Sequence, residues 1–188
     1  MHHFLAFRPT TATRDRLAAV SDRLRAWELP ASWTHPDDLH LTVLFLGDLS
    51  PEEARLIPTL VDEVASSLLP PQLYLSGLGA SGTRGNGLAS VPRGVFAAVT
   101  DPAHACAALQ RALAECVDQA PERTYVPHLT LCRPHPEPAR GQLFRDWPHL
   151  LEAHGQADWG QCEVDAVALY ASTDRRQRYE ELAVWPLR

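Results

Sequence analysis

The 188-residue chain predicts a duplicated fold of strands and helices with two similar halves. The order strand, helix, strand occurs twice, and the second strand of each set carries a His-Leu-Thr motif. These are His40-Leu41-Thr42 and His128-Leu129-Thr130, 128 − 40 = 88 residues apart. Between the halves, Gly79 to Arg93 holds four of the ten glycines with Ser, Thr, Asn and Pro, a loop composition that divides the chain. The expectation is one two-lobed domain, residues 1–188, with lobe-forming halves roughly 1–85 and 94–188 and room for strand exchange between them. The period is far longer than a solenoid repeat, so an array is not expected.

The elements follow in order. Phe4-Leu5-Ala6-Phe7 is an apolar run closed by Arg8-Pro9, which reads as a strand ended by proline. Leu17, Val20, Leu24 and Trp27 recur at spacings of three and four, predicting an amphipathic helix that Pro30 stops. A strand is predicted from about Leu39 to Leu46. Ser50-Pro51-Glu52-Glu53 then supplies an N-cap serine, a first-turn proline and a capping-box glutamate. Ile57, Leu60, Val61, Val64 and Leu68 form the buried stripe of that helix, which Pro58 should bend or weaken. Leu73, Leu75 and Leu78 hint at another strand. In the second half, Gly94 to Thr100 is an apolar strand, and Asp101-Pro102 caps a helix with the stripe Ala105, Leu109, Ala112, Leu113 and Cys116. Tyr125 to Cys132 reads as a strand, Pro138 to Leu150 as a helix, and Val164–Ser172 with Tyr179–Leu187 as a closing hairpin.

Composition narrows the class. Hydrophobic residues make up 45% and charged residues 21%, ordinary for a soluble globular protein. No apolar run approaches the roughly 20 residues that span a bilayer, and Met1-His2-His3-Phe4 does not open like a secretory signal. A cytoplasmic, monomeric protein without membrane attachment is expected. Cys106, Cys116, Cys132 and Cys162 include no C-x-x-C pair, so reduced thiols are expected in place of a zinc knuckle or disulfide framework. The net charge of −6 argues against a long basic surface for nucleic acid. Any nucleic-acid contact is then local, at a terminus or over a few nucleotides.

The motif pair carries the chemistry. With 9 His, 11 Thr and 45% apolar residues, His-apolar-Thr-apolar is expected about 0.1 times by accident, yet it occurs twice in matching places. On a strand, His and Thr share one face while Leu41, Val43, Leu129 and Leu131 point into packing. Two such strands make a cleft with two imidazoles and two hydroxyls. Near neutrality, one imidazole can accept a proton from an attacking hydroxyl and the other can protonate a departing oxygen. Thr42 and Thr130 can donate to non-bridging phosphate oxygens. Two positions after each histidine, where a further metal ligand could stand, the motif places Thr and not Asp, Glu or Cys, so neither metal nor cofactor is expected.

The chain resembles the two-histidine (2H) phosphoesterases, in particular the bacterial and archaeal RNA 2′,3′-cyclic phosphodiesterases, or 2′-5′ RNA ligases. The likeness rests on Phe4 to Phe7, Trp33 with Asp38 to Thr42 and Phe45-Leu46-Gly47, Tyr125 to Arg133, and Val167, Leu169, Tyr170, Ser172 and Tyr179. It implies an α+β bilobal fold, with antiparallel sheets lining a central cleft and helices packed outside. It also implies that water opens a terminal 2′,3′-cyclic phosphate to a 2′-phosphate, with His40 as proton donor and His128 as proton acceptor. The sequence alone leaves the two roles interchangeable. With a 5′-hydroxyl RNA end replacing water, the same chemistry joins RNA ends through a 2′-5′ linkage. Leu44 departs from a lysine common in relatives, and Cys132 from a small residue; both bear on affinity more than on reaction class.

Arg133 can hold a phosphate, although strand parity turns it away from His128 unless the strand bulges. Phe45 and Trp33 can stack a terminal base, with core packing favoured for Phe45 by parity. Tyr125 divides between bracing its strand and reaching a ligand. Arg175-Arg176-Gln177-Arg178 reads as a solvated basic turn, with an RNA-backbone contact as the alternative. The expected partners are RNA 3′ ends bearing a cyclic phosphate or small nucleotides. The alternatives are a phosphodiesterase for ADP-ribose 1″,2″-cyclic phosphate or for a 2′-5′ oligonucleotide, and a non-catalytic module that binds RNA ends.

Overall fold

The computed structural model describes residues 2–81, 93–121, 124–135, 139–172 and 178–188, with 139–144 described by backbone alone. Its strands are β1 (His2–Pro9), β2 (Ala31–Trp33), β3 (Leu41–Asp48), β4 (Tyr74–Ser81), β5 (Gly94–Thr100), β6 (His128–Pro134), β7 (Val164–Ser172) and β8 (Tyr179–Pro186). The helices are α1 (Thr11–Arg25), α2 (Pro51–Ser66), α3 (Ala105–Cys116) and α4 (Ala139–His154), with a 3₁₀ turn at Pro36–Asp38. The architecture is α+β, and every described strand pair is antiparallel.

The strands run in the order β4-β5-β6-β3-β1-β7-β8, with β2 beside β6. This order mixes the two halves of the chain. The closing hairpin β7-β8 adds to β1, while β2 and β4 join the group built on β5 and β6. The groups meet where β3 pairs with β6 at Leu41 and Leu129, so the two motif strands form the seam of the sheet.

One face of the sheet carries the core. Leu17, Val20 and Leu24 of α1, Ile57 and Val61 of α2, Leu109 and Leu113 of α3 and Leu150 of α4 pack with Leu5, Phe7, Leu41, Leu129 and Leu131 in one cluster. Thr10 caps α1, and the predicted capping box of α2 forms, with Ser50 accepting from the Glu53 N–H and Glu53 from the Ser50 N–H. Pro58 does not end α2, which runs on to Ser66. Trp185 Nε1 donates to Asp62 at 2.9 Å and ties this helix to β8.

Several expectations need correction. Leu60 is half exposed, and the buried stripe of α2 is Ile57, Val61 and Ala65. The stripe of α3 is Cys106, Leu109, Gln110, Leu113 and Ala114; of the predicted set Leu109 and Leu113 are buried, whereas Ala105, Ala112 and Cys116 are half-buried at its edges. Asp101 still caps it from outside, accepting from the Ala105 and Cys106 N–H groups at 3.0 and 2.8 Å. Tyr125 to Pro127 precede β6 and do not belong to it, and the short β2 had no predicted counterpart. In β4, Gly77 takes φ +90° where any side chain would strike the backbone of Gly155 just beyond α4. Most of the predicted Gly79–Arg93 loop, residues 82–92, lies outside the described residues, as do Arg175 to Gln177.

Candidate active site

The face of the sheet opposite the core is open and holds both motifs. Leu41, Val43, Leu129 and Leu131 are at most 1% exposed, whereas His40, Thr42, His128 and Thr130 are each partly exposed. That is the alternation the sequence predicted, although His40 stands one residue before β3 begins. Extending the Leu41–Leu129 pairing by one residue each way sets His40 across from Thr130 and Thr42 across from His128. The histidines are then diagonal neighbours, about 7–8 Å apart along the backbone. Each motif's imidazole faces the other motif's hydroxyl.

Each histidine is oriented by the same local device. His40 Nδ1 lies 2.7 Å from the Asp38 carbonyl, and His128 Nδ1 lies 2.8 Å from the Val126 carbonyl. A carbonyl can only accept, so each Nδ1 carries its proton and Nε2 is left to take up or release one. Each ring also rests on a phenylalanine of the neighbouring strand at 4.7 Å, Phe4 for His40 and Phe96 for His128.

A second shared device lies just past each threonine. In the β1–β3 pairing Leu5 meets Leu44 and Ala6 meets Thr42, so Val43 is an extra, bulged residue. In the β5–β6 pairing Val95 meets Cys132 and Phe96 meets Thr130, which makes Leu131 the extra residue. Both bulges bury two successive side chains, Val43 with Leu44 and Leu131 with Cys132. They reverse strand parity, so the next residue emerges on the histidine face. That residue is Phe45 in the first motif and Arg133 in the second. The parity expectations for both are thereby corrected: Phe45 is 46% exposed instead of packed in the core, and Arg133 opens onto the cleft.

The cleft has a volume of about 620 Å³ and includes His40, Thr130, Arg133, Trp33, Arg178 and Tyr179 in its lining. His128 and Thr42 stand beside it. Arg133 and His128 both face His40 closely enough to act on its charge. Burial is the larger influence and, with the Arg133 guanidinium and the His128 ring adding to it, lowers the His40 pKa to about 4, against the opposing pull of the Asp38 carbonyl. Tyr170 and Tyr179 complete an aromatic enclosure, with ring centroids 6.0 and 4.9 Å from His40.

The remaining predicted residues divide. Tyr125 braces: its hydroxyl donates to the Thr42 carbonyl at 2.7 Å and holds β3 against the approach to β6. Trp33 lines the cleft, with the Arg25 guanidinium 5.0 Å from its ring. Arg178 binds Asp37 at 2.8 Å and Asp38 at 3.4 Å, anchoring the start of β8 to the turn whose carbonyl orients His40. The sequence reading missed Ser32, His35 and His135, which also line the cleft; Ser32 Oγ and His135 Nε2 are 3.2 Å apart. Only the β2–β6 pairing, with Ser32 opposite Arg133, brings these groups together, and no local spacing encodes it. The four cysteines are unpaired, three of them buried. Among the described residues no group of three or more His, Cys, Asp or Glu is placed to hold a metal ion, and no helix is long and apolar enough to cross a membrane.

Residues 13–176 match the family model described as the 2′-5′ RNA ligase superfamily. The RNA 2′,3′-cyclic phosphodiesterase of Methanothermobacter thermautotrophicus is 31% identical over 178 residues, covering 90% of this chain and 88% of that protein. The protein of the same name from Geobacillus stearothermophilus is 27% identical over 99% of this chain. The chain spans only 57% of that relative's length. Among solved structures, a protein of Thermus thermophilus superposes with a TM-score of 0.73 at 24% identity, covering 100% of this chain and 98% of that one. E. coli LigT complexed with 3′-AMP superposes with a TM-score of 0.67 at 23% identity, covering 99% and 97%.

Proposed function

The chain belongs to the 2′-5′ RNA ligase superfamily, and on that premise we propose that it is a cyclic phosphodiesterase acting on RNA ends. Water opens a terminal 2′,3′-cyclic phosphate and leaves a 2′-phosphomonoester, with no metal ion in the step. His128 Nε2 takes a proton from the water as its oxygen bonds to phosphorus. The bond from phosphorus to the 3′ oxygen breaks, and His40 Nε2 delivers the proton that oxygen needs. Thr42, Thr130 and Arg133 hold the non-bridging oxygens as charge builds on them. The same groups in the same roles, with a 5′-hydroxyl RNA end in place of water attacking the cyclic phosphate, form a 2′-5′ linkage as the 3′ oxygen departs.

The observation that carries this reading is the pair of imidazoles on one open face, each with Nδ1 fixed by the carbonyl two residues before it. That arrangement supplies one acceptor and one donor without further parts. Two relatives named RNA 2′,3′-cyclic phosphodiesterase align with at least 90% of the chain and lend the substrate class. The donor role asks something of His40, which burial keeps neutral in the free site. The phosphate's negative charge, placed beside His40 and Arg133, offsets the guanidinium and lets His40 take up its proton with the substrate.

The cleft volume favours a second reading of the substrate. About 620 Å³ is the size of a small-ligand pocket, which suits a free cyclic nucleotide or ADP-ribose 1″,2″-cyclic phosphate as well as one terminal nucleotide of RNA.

The test is to incubate the protein in chelator with a short RNA ending in a 2′,3′-cyclic phosphate and to locate the phosphate in the product. A 2′-phosphate product, absent with His40→Ala and His128→Ala, is expected. A rate lost in chelator and restored by a divalent ion overturns the metal-free step. Turnover of cyclic mononucleotides alone moves the substrate to the second reading, and RNA binding without any turnover makes the protein a binding module.

A further inference from the structure

Past the reacting pair, the cleft continues along β6. Cys132 pairs with Val95 of β5 on one edge and with Trp33 of β2 on the other. β2 therefore lies on the same edge of β6 as β3, further along, with Ser32 opposite Arg133. Residues 34–40 join the two strands, and the cavity takes in both sides of this gap. His40 and Thr130 stand at one end, Ser32, Arg133 and His135 at the other, and His35 and Asp38 on the joining segment. Thr130 meets Phe96 and Cys132 meets Val95, so the bulge spends two residues of β6 on one step of β5. Arg133 and its partner Ser32 then lie about 7 Å beyond Thr130, two steps at roughly 3.4 Å each.

The far end is rich in donors. Ser32 Oγ is 3.2 Å from His135 Nε2. His35 Nδ1 accepts from the Asp37 N–H at 3.2 Å, which leaves its Nε2 to carry the ring proton and donate. Arg133 makes no ion pair among the described residues, whereas Asp37 and Asp38 are matched by Arg178. A hydroxyl, two imidazoles and a guanidinium, with the nearby acids already neutralised, form a site for an anion.

Taking the cleft as a cyclic phosphodiesterase site, we propose that Ser32 and His135, with His35 beside them, hold the phosphate on the 5′ oxygen of the nucleotide whose cyclic phosphate is opened. The 3′ oxygen departs toward His40, so its ribose lies on the His40 side of the phosphorus, the side on which the cavity opens. The 5′ oxygen of that ribose points further along the same path. With the anion in place, the His135 ring donates to Ser32 Oγ and the Ser32 hydroxyl donates to a phosphate oxygen. Arg133 stays with the reacting phosphate. The protein thereby selects ends that carry a 5′ phosphate over bare nucleoside cyclic phosphates.

Binding is measured by calorimetry with adenosine 2′-phosphate and adenosine 2′,5′-bisphosphate, the reaction product without and with the 5′ group. The bisphosphate should bind about tenfold tighter, the size of one hydrogen bond to a charged group. Ser32→Ala and His135→Ala, at exposed positions, should each reduce that preference, and the double variant should lose it. His135→Gln, which keeps a donor, should restore part of it, and unchanged melting temperatures confirm that the variants fold. In turnover, kcat/KM should show the same preference over adenosine 2′,3′-cyclic phosphate. A gain with the dinucleotide ApA ending in a cyclic phosphate identifies an RNA chain as the source of the 5′ phosphate. A gain only with 5′-phosphoadenosine 2′,3′-cyclic phosphate identifies free nucleotides. Equal affinities for the two adenosine phosphates overturn the proposal, as does a preference that survives in the double variant. Absence of turnover with the binding preference intact overturns the phosphodiesterase reading and leaves the 5′-phosphate subsite standing.

Discussion

His40 and His128 share a carbonyl two residues back, a threonine two residues on, a bulge after the threonine and a phenylalanine at 4.7 Å. Their surroundings differ. The closing hairpin β7-β8 adds to the first half-site alone and brings Tyr170 and Tyr179 around His40. Past the bulge, the first motif offers an aromatic ring, Phe45, and the second a guanidinium, Arg133. A duplicated backbone thus provides two equivalent imidazoles, and the strands added beside it make them unequal. Enclosure lowers the affinity of His40 for a proton, so one scaffold used twice holds its two imidazoles in different surroundings.

The comparison is sharpened first at the paired positions beyond the bulges. Arg133→Ala should lower kcat/KM for a cyclic phosphate about 100-fold, as expected for loss of a charged donor to the developing phosphate charge. Phe45→Ala should lower it only a few-fold, through a lost stacking surface. Equal losses would mean that the two positions are equivalent in function as well as in fold. The next effect concerns the enclosure. Tyr179→Ala should admit water to His40 and raise its pKa from about 4 toward the ordinary 6.5, read from its ring resonances in a pH titration. An unmoved value would show that Arg133 and His128, and not burial, set the difference.

The last effect is on stability. The folded chain binds the His40 proton at about 4, whereas the unfolded chain binds it near 6.5. Between those values the unfolded state holds more protons, so stability falls as pH drops from about 6.5 to about 4 and is insensitive to this group outside that window. Urea midpoints across the window should slope less for His40→Asn than for the parent protein. A parallel slope would contradict the assigned shift.

What was legible in the sequence was what depends on near neighbours. The N-cap and capping box of α2 are written in Ser50 to Glu53, and the alternation of His40 and Thr42 with buried leucine and valine is written in the motif itself. The two bulges were not legible, because an extra residue in a strand is defined only against its partner: Val43 against β1, and Leu131 against β5. The consequence was specific, since simple parity sent Phe45 toward the core and Arg133 away from His128. The strand order has the same origin. Nothing local to Val164–Ser172 says that it will pair with β1, nor local to Ala31–Trp33 that it will lie against β6 and carry Ser32 to the cleft. Helix faces failed more mildly: Leu60 fits an apolar stripe by spacing, but β8 and the core cover only the side holding Ile57, Val61 and Ala65.

The central claim is that the two half-sites form one acid–base pair. It is tested most directly by comparing His40→Ala, His128→Ala and the double variant on an RNA 2′,3′-cyclic phosphate. The account predicts that each single change lowers kcat by about 10²–10⁴-fold. It also predicts that the double variant is scarcely slower than the worse single one, because a donor and an acceptor that act in one step fail together. Losses that multiply in the double variant would show two independent contributions and contradict the pair.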